Sequence, residues 1–292
     1  MDKESQDIYQ VYVLEDLKNL GELSHPVRAG FIERFVVRKA SLKRLHANPD
    51  DEFSNPEIGP NYEIVGNYRQ KFVKCRMYHI KPDTDPLTVE KLSTGGYRLL
   101  NGHHRWMAMK MINMKRSKIS IVNTIPATKI IAAIEKSNKD MCISFDLDEV
   151  LVCDGKSVAA DKAPGFPFNL IYKDRVRQNI GACFQELSKL GFDIWVYTGS
   201  YKSKGQIEGL LKHHKAKVTG IMNGLKTKKP NSGITQAFKD KYKVLVHVDN
   251  ESLIWVNTAT KDFEDIPVSS GDDWASQVHL KVKEQMSKEA GK

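Results

Sequence analysis

The chain has 292 residues, of which 40% are hydrophobic and 28% charged, a composition typical of globular proteins and not of disordered ones. No apolar run approaches the ~20 residues that span a bilayer, and the first ten residues are too polar for a secretory signal. The four cysteines lack metal-type spacing and are too few for a disulfide scaffold, so we expect a cytoplasmic protein with reduced thiols and no membrane partner.

The first half of the chain predicts a mixed α+β domain over residues 34–126, preceded by an extension over 1–33. Between its elements lies a long, acidic, turn-rich loop over residues 48–61, of a length that is usually functional or disordered. The residue patterns predict strands, in chain order, over Phe35–Arg38, Phe72–Ile80, Tyr97–Leu100 and Ile119–Val122, and helices over Ser41–Leu45 and Trp106–Ile112.

A connecting helix is predicted at Thr128–Lys136 within a linker over residues 127–140, and the pattern then changes to strands that alternate with single helices. This alternation predicts an α/β domain over residues 141–292, with a doubly wound parallel sheet whose site lies at the carboxyl ends of the strands. The predicted strands are Ile143–Phe145, Ile194–Tyr197, Val218–Met222 and Val244–Val248, and the helices are Arg175–Leu190, Lys204–Lys212 and Ile234–Phe238.

Polar residues stand where the predicted strands of this second domain end. Phosphoryl transfer needs a nucleophile, an acid for the leaving oxygen and donors for the other phosphate oxygens, and these residues supply all three. Carboxylates that converge on one point also require a hard cation, for which oxygen ligands favour Mg²⁺. The residues are Asp146 and Asp148, then Thr198, then the lysines Lys226 and Lys229, then Asp249 and Asn250.

This order of motifs over residues 141 to about 260 resembles the haloacid dehalogenase-like superfamily of phosphatases. The resemblance implies that Asp146 forms an aspartyl-phosphate and that Asp148 is the general acid and base. It also implies that Thr198 and one lysine, Lys229 or else Lys226, bind the phosphoryl group. Mg²⁺ would be held by Asp146, the Asp148 carbonyl and Asp249, with Asn250 reaching it through water.

Only about twenty residues, Cys153 to Lys173, separate the first motif from the next predicted helix. Members of the superfamily with large caps need far more chain at this point, so the spacing predicts a small flap and an open site. An open site suits a bulky substrate, such as a nucleic-acid end or a protein side chain.

A second phosphate motif is predicted in the first half, where a strand ends and a helix begins. Gly102 allows close approach of the backbone to a ligand, and the first N–H groups of the helix favour an anion. Two imidazoles and a guanidinium would complete a phosphate cradle, whereas the alternative is a turn whose histidines bond locally. The predicted nucleotide-binding residues are Asn101, Gly102, His103, His104 and Arg105.

This motif, with the extended segment and the loop before it, is similar to the ParB and sulfiredoxin-like fold over roughly residues 34–123. Members of that fold bind nucleoside triphosphates at this turn, and several transfer the terminal phosphate. The chain lacks the sulfiredoxin cysteine, so that activity is excluded. The His-His-Arg form more closely resembles the small-molecule kinase branch of the fold, which implies the use of ATP or another nucleoside triphosphate. The loop acids that could serve as the kinase base are Asp51, Glu52 and Glu63, with Asp50 and Glu57 also open.

Basic residues concentrate in two segments of a chain whose net charge is +9. Residues 66–120 hold twelve lysines and arginines against three acids, and residues 201–230 hold eight lysines against Glu208 alone. The leading hypothesis is therefore a kinase–phosphatase that acts on nucleic-acid ends. Enzymes of hydroxylated metabolites and nucleotide-gated DNA-binding modules remain alternatives, and ordinary solvated surfaces would explain the charge equally well.

Overall fold

The structure is a computed structural model that describes residues 7–20, 24–224, 232–269, 271 and 273–291. The chain divides into two compact units, residues 1–123 and residues 124–292. No helix among the described residues is long and apolar enough to cross a membrane. The mixed α/β class predicted from the sequence is confirmed.

The first unit contains a six-stranded mixed sheet. Its strands lie in the order β2-β6-β4-β5-β3, and β1 pairs with β4 beside this path. The strands are β1 (Pro26–Val27), β2 (Arg38–Ser41), β3 (Leu45–His46), β4 (Leu87–Leu92), β5 (Tyr97–Asn101) and β6 (Arg116–Ile121). A π-helical turn, Gln10–Leu14, leads directly into the first helix. The helices of this unit are α1 (Glu15–Leu20), α2 (Phe31–Phe35), α3 (Tyr62–Met77) and α4 (His103–Met111). Single 3-10 turns occur at Leu42–Arg44 and Glu52–Ser54.

Two strand predictions in this unit are wrong in whole or in part. Most of the strand expected over Phe72–Ile80 lies in the second half of α3, which ends at Met77. This helix begins where the Asn61 side chain accepts a hydrogen bond from the Ile64 N–H at 3.1 Å. Phe72 is buried while Tyr78 and Ile80 are exposed, so the apolar residues that would share one face of a strand are not buried together. Strand β2 begins only at Arg38, because α2 extends to Phe35.

Described residues of the segment expected to be an extension, 1–33, contribute to the core of the first unit. Tyr9 and Val13 are buried there with Phe72 and Trp106. The Tyr9 hydroxyl donates to the Ser54 carbonyl at 2.6 Å, which ties this segment to the 48–61 loop. That loop is present as expected, and a single 3-10 turn interrupts it.

The second unit contains a six-stranded sheet in the order β11-β10-β7-β12-β13-β14. Its first four strands are parallel, as predicted, whereas β13 and β14 add an antiparallel edge that the alternation of strands and helices did not predict. The strands of this sheet are β7 (Met141–Asp146), β10 (Phe192–Thr198), β11 (Gly220–Asn223), β12 (Val244–Val248), β13 (Ser252–Asn257) and β14 (Phe263–Pro267). A separate hairpin consists of β8 (Val152–Cys153) and β9 (Arg175–Val176).

Helices cover both faces of this sheet. Because side chains alternate along each strand, apolar residues of the strands point to both faces and pack against helices on each. Phe145 and Val196 belong to the core beneath α6, α7 and α9, whereas Cys142 and Trp195 pack with α5 and α8. The helices are α5 (Ala127–Glu135), α6 (Ile180–Lys189), α7 (Lys204–His213), α8 (Ser232–Lys241) and α9 (Trp274–Ala290).

Two expectations for this unit need adjustment. The helix predicted from Arg175 begins only at Ile180, because Arg175 and Val176 pair with β8. Helix α5, expected to connect the domains, belongs to the second unit, where Ile130 and Ile134 pack with Trp195.

Candidate active site

Parallel pairing brings three of the predicted polar residues to one edge of the second sheet. Asp146, the last residue of β7, lies opposite Tyr197 of β10, and Thr198 follows it as the last residue of that strand. On the other side of β7, Phe145 lies opposite Val248, so Asp249 follows β12 at the same level. The backbone positions of these three residues are therefore neighbours at the carboxyl ends of the strands.

Asp146 is held by the chain that follows it. Its Oδ1 accepts hydrogen bonds from the backbone N–H groups of Asp148 at 2.7 Å and Glu149 at 2.8 Å, where a π-helical turn, Leu147–Leu151, begins. No described residue donates to its second carboxylate oxygen. One oxygen therefore fixes the carboxylate, and the other has no protein partner within the described chain.

Asp148 is the centre of a polar cluster. The Thr198 hydroxyl donates to its Oδ2, while Ser200 Oγ donates to Oδ1 at 3.3 Å and the Lys202 ammonium lies 3.2 Å from Oδ1. Thr198 is completely buried and also accepts from the Ser200 N–H at 3.0 Å. Burial raises the pKa of Asp148, but the Thr198 hydrogen bond and the Lys202 charge together hold that pKa below its usual value.

Lys202 is a site residue that the sequence motifs did not identify, since it was grouped with the lysines of the basic segment. Its ammonium bridges Asp148 and Asp174, at 3.2 and 2.9 Å. Burial lowers the pKa of Lys202, and the two carboxylates outweigh it and raise the pKa. The available signal was its position four residues after Thr198. The two predicted phosphate lysines, Lys226 and Lys229, lie outside the described residues.

The carboxylates of Asp146 and Asp249 act on the same neighbours. Burial is the largest cause of the raised pKa of Tyr197, and the charges of Asp146 and Asp249 raise it further. Burial lowers the pKa of His247, and the charges of the same two carboxylates offset part of this decrease. The Tyr197 hydroxyl and His247 Nε2 lie 2.9 Å apart. Both carboxylates therefore contribute negative potential to one small region.

Asn250, which we expect to reach the metal through water, also has partners within the protein. Its Oδ1 accepts from Arg177 at 2.6 Å, and its amide nitrogen donates to the Glu149 carbonyl at 3.0 Å. The Arg177 guanidinium in turn stacks on Trp274, 4.3 Å from the ring centroid. The side chain thus links the turn after β7 to the turn after β12.

The oxygen donors fit Mg²⁺. No group of three or more His, Cys, Asp or Glu side chains is placed to hold a metal in the part of the chain that the structure describes. The predicted set, however, consists of two carboxylates and the Asp148 carbonyl. The Asp249 carboxylate accepts at 2.7 Å from the N–H of Asn250, and no described residue donates to its other oxygen. Hard oxygen ligands of this kind suit Mg²⁺, whose remaining positions are usually filled by water and phosphate.

The second predicted motif lies at the start of α4 in the first unit. Gly102 precedes the helix with φ of +95°, and a Cβ there would meet Leu87 Cδ2 at 2.5 Å and Arg105 Nη2 at 2.9 Å. Only glycine meets both requirements. Asn101, the last residue of β5, is exposed beside this turn.

Asp51 is the candidate base that lies closest to the histidines. Its Oδ2 is 3.9 Å from His103 Nδ1, and both side chains are buried. Burial lowers the pKa of His104 and the Asp51 charge opposes this effect. His104 Nε2 accepts from the Asn61 N–H at 3.0 Å, so the neutral ring carries its proton on Nδ1.

The other predicted residues of this motif lie differently. Arg105 is buried and donates to the Asp85 carbonyl, so its guanidinium supports the segment before β4. Glu52 is half-buried, Glu57 and Glu63 are exposed, and Asp50 lies 3.8 Å from an Arg98 nitrogen.

No family model and no curated protein sequence matches the chain. Among solved structures, it is similar in part to the C-terminally truncated chromosome-partitioning protein ParB from Caulobacter crescentus, complexed to the centromeric parS site. That match has 19% identity and a TM-score of 0.23, and it covers 35% of this chain. The matched part spans about half (49%) of the ParB chain. A conserved hypothetical protein from Pyrococcus furiosus is 10% identical over 83% of this chain and 98% of that chain, with a TM-score of 0.23. Similarities at this level support no functional assignment.

The cluster around Asp148 leads to a test of Lys202. In Lys202→Met the pKa of Asp148 should rise, because the variant removes a positive charge at 3.2 Å. Carbon NMR titration of the aspartate carboxyl carbons measures this pKa directly. The control is Lys204→Met, since Lys204 pairs with Glu208 at 3.4 Å. Identical Asp148 titrations in the wild type and Lys202→Met would contradict the role given to Lys202.

Proposed function

We propose that residues 141–292 form a Mg²⁺-dependent phosphatase of the haloacid dehalogenase-like class, with Asp146 as its nucleophile. The observation that carries the proposal is the state of the Asp146 carboxylate. Two backbone N–H groups hold Oδ1, no described residue donates to Oδ2, and the Asp148 cluster follows immediately. This is the arrangement that a positioned nucleophile next to an acid requires.

The reaction has two steps. Asp146 Oδ2 attacks the phosphorus of a phosphate monoester, and the bond to the leaving oxygen breaks while Asp148 donates a proton to that oxygen. Water then attacks the aspartyl-phosphate, Asp148 takes its proton, and phosphate leaves Asp146. Asp146, Asp249 and the Asp148 carbonyl would hold Mg²⁺, which would neutralise charge between the nucleophile and the phosphate.

The lowered pKa of Asp148 favours the ionised carboxylate, which has no proton to donate. The proposed role as an acid therefore requires that substrate binding raise this pKa. Thr198 and Lys202, which lower this pKa, are also the donors that phosphate oxygens would engage. Once a phosphoryl group takes these donors, Asp148 loses the interactions that favour its charged form. Its pKa then rises, and substrate binding itself prepares the acid.

The substrate that we propose for this site is a nucleic-acid end carrying a phosphate. The segment between β8 and β9 is short, so it leaves the site open to a large substrate, and the lysines of residues 201–217 lie on the neighbouring helix and loop. A metabolite phosphate is the alternative substrate class. Salt-dependent affinity for oligonucleotides favours the first over the second.

For the first unit we propose binding of ATP or another nucleoside triphosphate at the turn before α4, with transfer of its terminal phosphate as the linked kinase activity. The supporting observations are the left-handed Gly102 at a helix start and the Asp51 carboxylate next to His103. Asp51 is the base that this geometry favours over Glu52 and Glu63. A nucleotide-gated DNA-binding module is the alternative, in which nucleotide binds without phosphate transfer.

Replacement of Asp146 tests the phosphatase. Asp146→Asn should abolish Mg²⁺-dependent hydrolysis of an aryl phosphate, because an amide neither attacks phosphorus nor binds Mg²⁺ as an anion. Asp148→Asn should slow hydrolysis by roughly 10²–10⁴-fold, most strongly for poor leaving groups. The control is Asp265→Asn, an exposed carboxylate on β14. Near wild-type turnover by Asp146→Asn would refute the assignment.

The nucleotide site has a separate test. His104→Asn should weaken ATP binding in calorimetry while phosphatase turnover stays at the wild-type level, because the two sites lie in different units. The matched control is His79→Asn, an exposed histidine in the same unit whose φ of 54° asparagine tolerates. Equal ATP affinity in His104→Asn and His79→Asn would contradict the nucleotide site and favour a turn whose histidines only form local hydrogen bonds.

A further inference from the structure

The flap, defined as the segment over residues 154–174 between β8 and β9, exposes apolar side chains. Phe166 is 82% exposed, Phe168 49% and Leu170 64%. Large apolar side chains exposed together in this way mark an interaction site more often than a bare surface.

The flap is fixed next to the candidate active site. The Tyr172 hydroxyl packs against α7 where Gly209 leaves room, since a Cβ there would come within 2.0 Å of that oxygen. Phe168 faces His213 near the end of α7, with ring centroids 5.8 Å apart. Asp174 accepts from Lys202 at 2.9 Å, and Lys202 also contacts Asp148. Helix α7 and the Asp148 cluster therefore hold the flap from two sides.

The acids of the flap are engaged locally. Asp154 accepts from the Lys156 N–H at 2.8 Å, the Ser157 hydroxyl at 2.9 Å and the Ser157 N–H at 3.0 Å, and these bonds lower its pKa to about 2. Asp161 accepts from the N–H of Asn179 at 3.0 Å. The third acid, Asp174, is paired with Lys202. Each acid of the flap therefore has hydrogen-bond or ion-pair partners within this unit.

The lysines at the end of α7 are in the opposite situation. Lys212 and Lys215 flank the pair His213 and His214 where α7 ends, both lysines are exposed, and no described carboxylate forms an ion pair with either. By contrast, Lys204, at the start of the helix, pairs with Glu208. Positive charge is thus available at the end of α7 on which Phe168 rests.

We propose that the flap and the end of α7 form a platform for single-stranded nucleic acid, which presents a terminal phosphate to the candidate active site. The role of the platform in presenting a phosphate rests on the proposed phosphatase. Binding of a nucleic-acid strand rests only on the exposed flap side chains and on the two lysines. The Phe166 ring stacks on a base, while Lys212 and Lys215 contact backbone phosphates. Exposed rings beside lysines without partner acids fit a strand of unpaired bases, because every base offers a stacking face and every linkage a charge.

The test is the affinity of the full chain for a fluorescent oligothymidylate, measured by anisotropy over a range of salt concentrations. EDTA is present, so binding is read without turnover. Phe166→Leu, which keeps an apolar side chain but removes the ring, should weaken binding by about fivefold or more, whereas Phe166→Tyr should retain it. Lys212→Gln with Lys215→Gln should reduce the slope of log affinity against log salt by about 1.4, or about 0.7 for each phosphate that no longer meets a lysine.

Matched controls come from the same unit. Phe263→Leu changes a ring that is 66% exposed on β14, and Lys283→Gln with Lys288→Gln removes two exposed charges from α9, so both should bind as the wild type does. Equal affinity of Phe166→Leu and Phe166→Tyr would overturn the stacking role. Failure of the wild type to bind oligothymidylate would overturn the platform in favour of a protein-docking surface. Binding with this pattern in a protein that hydrolyses no aryl phosphate would uphold the platform and refute the phosphatase.

Discussion

The parallel pairing of β7 with β10 on one side and β12 on the other is the constraint on which the candidate active site depends. Phe145 is paired across both neighbours, with Val196 and Val248, and these apolar residues are buried in one core. A slip of one residue would turn such a strand's buried side chains to the opposite face, so the core holds the register. The same register sets Asp146 and Asp249 at one level.

Polar contacts extend this constraint outward from the sheet edge. Lys202 joins Asp148 to Asp174, and through it the active-site cluster and the flap become a single network. Asn250 joins the turns after β7 and β12, with Arg177 held against Trp274 behind it. Lys202 pairs half-buried charges, and such pairing is the condition under which this charge is tolerated. The buried Arg177 guanidinium instead meets the neutral Asn250 amide and the Trp274 ring.

The sequence predicted the parallel core of the second unit because each of its strands is a short apolar run followed by polar residues. It did not predict β13 and β14, which follow β12 with no helix between them, nor that Lys202 would reach Asp148. Side-chain reach depends on the tertiary path of the Thr198–Lys202 loop, which carries no periodic signal. The strand prediction at Phe72 was wrong for another reason. The clustered apolar residues of this segment resemble a strand, whereas the Asn61 cap and the buried residues Val65 and Phe72 belong to one helix.

Covalent phosphorylation of Asp146 is the event on which the proposed phosphatase depends. Acid quenching during turnover of a phosphate monoester with Mg²⁺, followed by borohydride reduction and peptide mass spectrometry, detects an aspartyl-phosphate because reduction converts that aspartate to homoserine. We expect homoserine at position 146, in an amount that depends on substrate and Mg²⁺, and none at position 148. Turnover that leaves Asp146 unmodified under every quench time, or homoserine at another aspartate, would contradict the proposal.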